Sequence, residues 1–138
     1  MLVQKRFHHS ELLQYEMFLK LEFSDEEWQE IKAHCDAQKI GLIITCHVQS
    51  GVARLNNLKL PVNKICTWSL THYDMIASLA NNGKPLIIDT GPINQKELDE
   101  LSGFYSSQGG GEVIVLYDFH TTNVQEMNFK AIQGMINA

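Results

Sequence analysis

The chain has 138 residues, 44% of them hydrophobic and 20% charged, values typical of one globular domain, which we assign to residues 1–138. Its formal net charge of -5 argues against nucleic acid or an anionic membrane surface as the main partner. Three cysteines without a Cys-X-X-Cys motif, no signal-peptide pattern and no bilayer-spanning apolar run lead us to expect a cytoplasmic protein with free thiols.

The first third of the chain is predicted to contain two helices and a strand. Residues 10–20 carry apolar side chains at helical spacing, and a second helix begins after Ser24, which forms a capping box with Glu27. The buried stripe predicted for this second helix consists of Trp28, Ile31 and Cys35. Residues 40–45 are almost all apolar, which indicates a parallel strand covered on both faces.

Residues 64–91 are predicted to fold as strand, helix and strand. Residues 64–67 end an apolar run, residues 73–80 have helical periodicity, and residues 85–89 form a second apolar run. Asn-Asn-Gly and Thr-Gly-Pro sequences supply the turns that end the helix and the second strand. Two parallel strands joined by a helix form a βαβ unit, and such folds keep their chemistry at the C-terminal ends of the strands.

The elements around this unit continue the alternation of strands and helices. A short helix at residues 51–57 precedes the unit, and a helix that Pro92 and Asn94 open follows it. The predicted inner face of that helix consists of Leu98, Leu101 and Phe104 or Tyr105. After a three-glycine turn, residues 112–117 indicate a fourth strand, and residues 123–138 an amphipathic helix.

Three motifs of the central unit, Lys64-Ile65, Gly83-Lys84-Pro85 and Thr90-Gly91, match a family signature without a gap. In them the chain resembles the sialic acid synthases and their legionaminate, pseudaminate and spore-coat relatives. The resemblance implies an α/β fold, a partial TIM (β/α) barrel whose four βα units correspond to barrel strands 3–6. It also implies condensation of phosphoenolpyruvate with an amino sugar, aided by divalent manganese or magnesium.

The resemblance further implies a site for phosphoenolpyruvate, or a similar small anionic ligand, at the C-terminal ends of the strands. The implied residues are Thr45, Lys64, Thr67, Ser69 and Asp89. A lysine and hydroxyl groups can hold phosphate and carboxylate oxygens. Ser69 replaces an acidic residue of the family and Asp89 replaces a serine, and an ordinary strand or turn role is the alternative for each residue. Catalytic residues stay unassigned.

No metal site is assigned, because the metal-binding histidines of the family belong to later barrel strands. His47 and His120 follow predicted strands and are candidate ligands only if a second copy brings them together, since two lone histidines are usually not ligands. The spacing suggests no base beside any cysteine, so we interpret all three as core thiols. We interpret Trp68, which replaces a family glycine, as a packing residue that would crowd a sugar pocket.

A half barrel has two uncovered sheet edges, so we expect a homodimer that completes the barrel. Two functions stay open, and with them the question whether the chain is an enzyme. The first is a phosphoenolpyruvate-dependent synthase of sialic or other nonulosonic acids in polysaccharide biosynthesis, degenerate or incomplete on its own. The alternative is a non-catalytic binding or assembly protein that keeps the scaffold. Thr45, Lys64 and Thr67 favour the first function, and the missing acid and metal ligands favour the second.

Overall fold

The computed structural model describes residues 9–91, 93–118, 121 and 123–136. The helices in these ranges are α1 (His9–Lys20), α2 (Asp25–Ala37), α3 (Gly51–Asn57), α4 (Tyr73–Ala80), α5 (Gln95–Ser107) and α6 (Phe129–Ile136). The strands are β1 (Thr45–Cys46), β2 (Asn63–Ile65), β3 (Leu86–Asp89) and β4 (Val113–Leu116), and short 3-10 turns lie at Thr67–Ser69 and Val124–Glu126. None of the helices in the described ranges is long and apolar enough to cross a membrane.

The four strands form one sheet in the order β1-β2-β3-β4, and every neighbouring pair is parallel. Helices α3, α4 and α5 lie in the connections between consecutive strands. The register places Lys64 between Thr45 and Ile87, and Ile87 beside Ile114. This unbroken run of parallel strands and crossover helices confirms the predicted series of βα units.

Strand alternation gives the sheet two different faces. On the first, which we call the helix face, strand residues are packed beneath the helices. Its buried side chains include Cys46, Ile65, Leu86 and Ile88 from the strands and Ile76, Leu79, Leu98 and Leu101 from the helices. On the second, which we call the open face, lie Thr45, Lys64, Ile87, Asp89, Ile114 and Leu116. Ile114 on this face is 40% exposed, so the described part of the chain leaves an apolar surface uncovered.

A buried network of polar side chains lies on the helix face, at the N-terminal end of β2. The Asn63 amide nitrogen donates to the Tyr105 hydroxyl at 2.9 Å, and that hydroxyl donates to the Lys84 carbonyl at 2.7 Å. Asn63 and Asn82 also exchange side-chain hydrogen bonds of 3.1 and 3.2 Å. Burial raises the pKa of the Tyr105 phenol, and the hydrogen bond from Asn63 opposes that rise. The network satisfies polar groups that would otherwise be costly to bury.

The helix starts follow the local sequence signals. Glu27 donates its backbone N–H to the Ser24 hydroxyl at 3.2 Å, and Ser24 donates its own N–H to the Glu27 carboxylate at 2.7 Å, which confirms the predicted capping box. Asn94 and Glu97 form the same arrangement at the start of α5. Pro92, predicted to open this helix together with Asn94, lies outside the described residues.

Two predictions about burial in the first third of the chain are wrong. The predicted strand over residues 40–45 forms only at its end, as β1, and Ile40 and Ile43 are exposed rather than covered on both faces. The reason is position, because β1 is the edge strand of the described sheet and pairs with β2 alone. Helix α2 likewise has no fully buried residue, and its predicted stripe is only half-buried.

Candidate functional site

Three of the implied anion-binding residues converge on the open face. Lys64 lies in the middle of β2, and its Nζ donates to the Thr45 hydroxyl of β1 at 3.2 Å. The same Nζ lies 3.7 Å from the Asp89 Oδ2 of β3. Three adjacent strands therefore bring an ammonium, a hydroxyl and a carboxylate together near the C-terminal rim of the sheet.

The charges of this cluster set the conditions for binding an anion. The Lys64 and Asp89 side chains are both about one-fifth exposed, with values of 21% and 19%, so water screens their attraction only in part. An incoming phosphate or carboxylate must share the Lys64 ammonium with Asp89, whose negative charge repels it. Because Thr45 accepts the hydrogen bond from Lys64, its own hydroxyl hydrogen stays available for a ligand oxygen. The arrangement suits weak binding of a small anion.

The other two implied residues direct their hydroxyls to backbone carbonyls. Thr67 donates to the Asp89 carbonyl at 3.1 Å, and Ser69, which is buried, donates to the His47 carbonyl at 3.5 Å. Neither hydroxyl hydrogen is then free for an anion. Gly91 permits the Thr67 contact, because it has a φ of +51° and a Cβ there would lie 2.4 Å from the Thr67 methyl group.

The turn after β3 is tied to the neighbouring strand. Thr90 is fully buried, and both its hydroxyl and its backbone N–H donate to the Leu116 carbonyl at 3.1 Å. The interpretation of Trp68 as a packing residue is wrong, because its side chain is 79% exposed. The 3-10 turn explains this exposure, since it buries the adjacent Ser69 while Trp68 faces solvent.

A contact between a thiol and an imidazole was missed in the sequence. Cys66 Sγ lies 3.3 Å from His47 Nδ1, so the interpretation that no base adjoins a cysteine is wrong. The β1–β2 register explains the contact, because it pairs Cys46 with Ile65 and therefore places the next two residues side by side. The two residues are 19 positions apart in the sequence, and only the strand register reveals their proximity.

The resemblance implies manganese or magnesium for the reaction, but it places the metal ligands on later barrel strands and assigns none to this chain. Within the described ranges, no group of three or more histidine, cysteine, aspartate or glutamate side chains could hold a metal ion. His47 contacts Cys66, and His120, the other candidate ligand, lies outside the described residues.

Comparison with known proteins identifies the family. Residues 3–138 match the model of the NeuB family. The chain belongs to the NeuB family. An uncharacterised protein of Methanocaldococcus jannaschii is 33% identical over 125 residues, which make up 88% of this chain and 36% of that protein. The N,N'-diacetyllegionaminic acid synthase of Campylobacter jejuni is 26% identical over 129 residues, 91% of this chain and 39% of the synthase.

Solved structures show the fold of this NeuB family chain. The N-acetylneuraminic acid (sialic acid) synthetase of Leptospira borgpetersenii superposes with a TM-score of 0.77 and 18% identity, over 84% of this chain and 41% of the synthetase. A spore coat polysaccharide biosynthesis protein of Bacillus subtilis gives a TM-score of 0.78 and 14% identity, over 84% and 33%. The predicted family and the predicted α/β partial barrel are thereby confirmed. The chain spans well under half the length of each of these relatives.

Proposed function

We propose that this chain supplies the phosphoenolpyruvate-binding rim of a cytoplasmic synthase of sialic or other nonulosonic acids. Membership in the NeuB family and relatives named for sialic acid, legionaminic acid and spore coat polysaccharide support a role in carbohydrate biosynthesis. The observation that carries the proposal is the hydrogen bond from Lys64 Nζ to the Thr45 hydroxyl at 3.2 Å, near the rim of the open face. An ammonium beside a hydroxyl can hold one phosphate or carboxylate group.

We further propose that the chain on its own binds the anion without completing the synthesis. Ser69, at the position of the family's acidic residue, is buried and donates to a backbone carbonyl. Removal of a positioned acid or base typically slows a reaction by about 10²–10⁴-fold. Asp89 also competes for the ammonium of Lys64. The same observations favour the alternative function, a non-catalytic binding or assembly protein that keeps the barrel scaffold.

We propose that a second copy of the chain covers the open face of the sheet. The described sheet has four strands, with β1 at one edge and β4 at the other. The surface around the open face is apolar, because Ile43, Ile114 and Leu116 are exposed. A two-fold rotation would pair β4 of each copy with β1 of the other in parallel, which closes a barrel of the usual strand number. The homodimer would also bring two Lys64 side chains to one rim.

The anion site is tested by thermal unfolding in the presence of inorganic phosphate and, separately, phosphoenolpyruvate. We expect millimolar ligand to raise the Tm of the wild type, in line with a binding free energy on the order of -4 kcal/mol. Lys64→Ala should abolish this rise. Lys96→Ala is the matched control, because Lys96 is an 85% exposed lysine on α5 and its loss should leave the rise unchanged. Equal rises in the wild type and Lys64→Ala would overturn the site.

The proposed assembly is tested by light scattering at micromolar concentration. The chain has a mass of 15.7 kDa, and we expect a particle of about twice that mass. Leu116→Lys places a charge on the open face and should give a monomer, whereas Leu13→Lys, on the exposed surface of α1, should leave the dimer intact. A monomeric wild type would contradict the closed barrel.

A further inference from the structure

We propose that Cys66 and His47 form a nucleophilic thiol–imidazole pair, which makes Cys66 a covalent modification site for small uncharged carbon electrophiles. The proposal is independent of anion binding at Lys64. It starts from the 3.3 Å separation of Cys66 Sγ and His47 Nδ1, close enough for the thiol proton to pass to the ring nitrogen. A base beside a thiol generates thiolate, the reactive form of cysteine.

The fold holds the pair in place through Ser69. The Ser69 backbone N–H donates to the Cys66 carbonyl at 2.9 Å, and its hydroxyl donates to the His47 carbonyl at 3.5 Å. The Ser69 hydroxyl also lies 3.8 Å from Cys66 Sγ. One buried serine therefore contacts both partners of the pair, and we assign it a positioning role.

Exposure differs between the two partners in a way that suits this chemistry. The His47 side chain is exposed, so its ring can release a proton to water. Cys66 is 8% exposed and lies directly after β2, at the C-terminal end of that strand. Since Cys66 is only 8% exposed, we expect a small electrophile to reach Sγ and a large one to be excluded.

A haloacetamide would alkylate Cys66 in a single displacement step. The Cys66 thiol gives its proton to His47 Nδ1, and Sγ attacks the methylene carbon of the reagent. A sulfur–carbon bond forms while the carbon–halogen bond breaks, and the halide leaves with the bonding electron pair. His47 holds the proton as an imidazolium until it passes to water.

The other two cysteines provide internal controls. Cys46 is buried, lies 3.4 Å from the Val48 carbonyl and 3.6 Å from Met75 Sδ, and burial raises the pKa of its thiol. Cys35 is half-buried on α2 and thus more exposed than Cys66. Exposure alone predicts that Cys35 reacts first. The thiol–imidazole pair predicts that Cys66 reacts first, so the two explanations give opposite orders.

The experiment treats the folded full chain with limiting iodoacetamide at neutral pH and follows each cysteine by peptide mass spectrometry. We expect Cys66 to react at least about tenfold faster than Cys35, which is less than the roughly 10²–10⁴-fold of a positioned base because Cys66 is the less exposed thiol. The advantage should shrink above about pH 8.5, where an ordinary thiol ionises without help. Faster reaction of Cys35, or a Cys66-to-Cys35 rate ratio that does not change with pH, would overturn the proposal.

The variant His47→Gln assigns the effect to the imidazole. In the folded variant the Cys66 rate should fall by about tenfold or more at neutral pH, with the Cys35 rate unchanged. The drop should vanish at alkaline pH, a response that loss of packing alone would not give. An unchanged or increased Cys66 rate at neutral pH would overturn the pair as the source of reactivity.

Discussion

The helix face and the open face of the sheet use the same strands for different purposes. In β2, Asn63 and Ile65 are buried under the helices, whereas Lys64 between them is half-buried on the opposite side. The helix face holds the fold together through apolar packing and a satisfied polar network. The open face carries the Lys64 ammonium, the Asp89 carboxylate and the exposed side chains of Ile114 and Leu116. Along these strands, residues that stabilise the fold therefore alternate with residues that carry the polar groups of the candidate site.

The two faces should differ most in the free energy of unfolding that is lost when one isoleucine on each face is replaced with alanine. Ile88 on the helix face is 0% exposed, and Ile88→Ala should lower the free energy of unfolding by about 2–5 kcal/mol, since it leaves a cavity. Ile114→Ala on the open face should cost less than about 1 kcal/mol at concentrations where the chain is monomeric. Urea denaturation measures both values. Equal losses would show that the faces do not differ as described.

A smaller loss is expected when the polar network of the helix face is cut. Tyr105→Phe removes the hydroxyl that accepts from Asn63 and donates to the Lys84 carbonyl, so it should destabilise the fold by about 1–3 kcal/mol. Tyr15→Phe is the matched control, because Tyr15 is 62% exposed on α1 and its loss should have little effect. If both variants unfold at the same urea concentration, the network does not stabilise the protein.

Much of the fold could be predicted because its signals are local. Helix α4 has the predicted bounds, since periodic apolar residues end at an Asn-Asn-Gly stop where Gly83 has a φ of +70°. The capping box at Ser24 is likewise a four-residue signal. Burial of Ile40 and Ile43 could not be predicted in the same way, because it depends on what lies beyond the sheet edge rather than on nearby sequence.

The site was less predictable because it depends on distances across strands. The family signature brought Lys64 and Thr45 into consideration, and the structure places their side chains in contact. The resemblance does not specify where hydroxyls point, and those of Thr67 and Ser69 point to carbonyls. The Cys66–His47 contact depends on strand register, which a single sequence does not reveal.

The smallest expected effect is a pH dependence of the stability that Tyr105 contributes on the helix face. Burial raises the pKa of Tyr105 above its ordinary value of 10.0, which the unfolded chain retains. Below that value the phenol is protonated in both states and its contribution to stability is fully present. As the pH rises through 10.0 and on through the folded pKa, the unfolded chain ionises first, so this contribution is lost.

Cys46 also makes the fold less stable as the pH rises, because burial raises the pKa of its thiol above the ordinary 9.0. The Tyr105 contribution is therefore measured as a difference, with urea denaturation of the wild type and Tyr105→Phe at neutral and alkaline pH. Both proteins keep Cys46, so its titration cancels, while only the wild type has the buried phenol. We expect the wild type to lose more stability than the variant above about pH 10, which narrows the gap between them. A gap that stays constant or widens would mean that the Tyr105 hydroxyl is not held in its protonated form by the helix face.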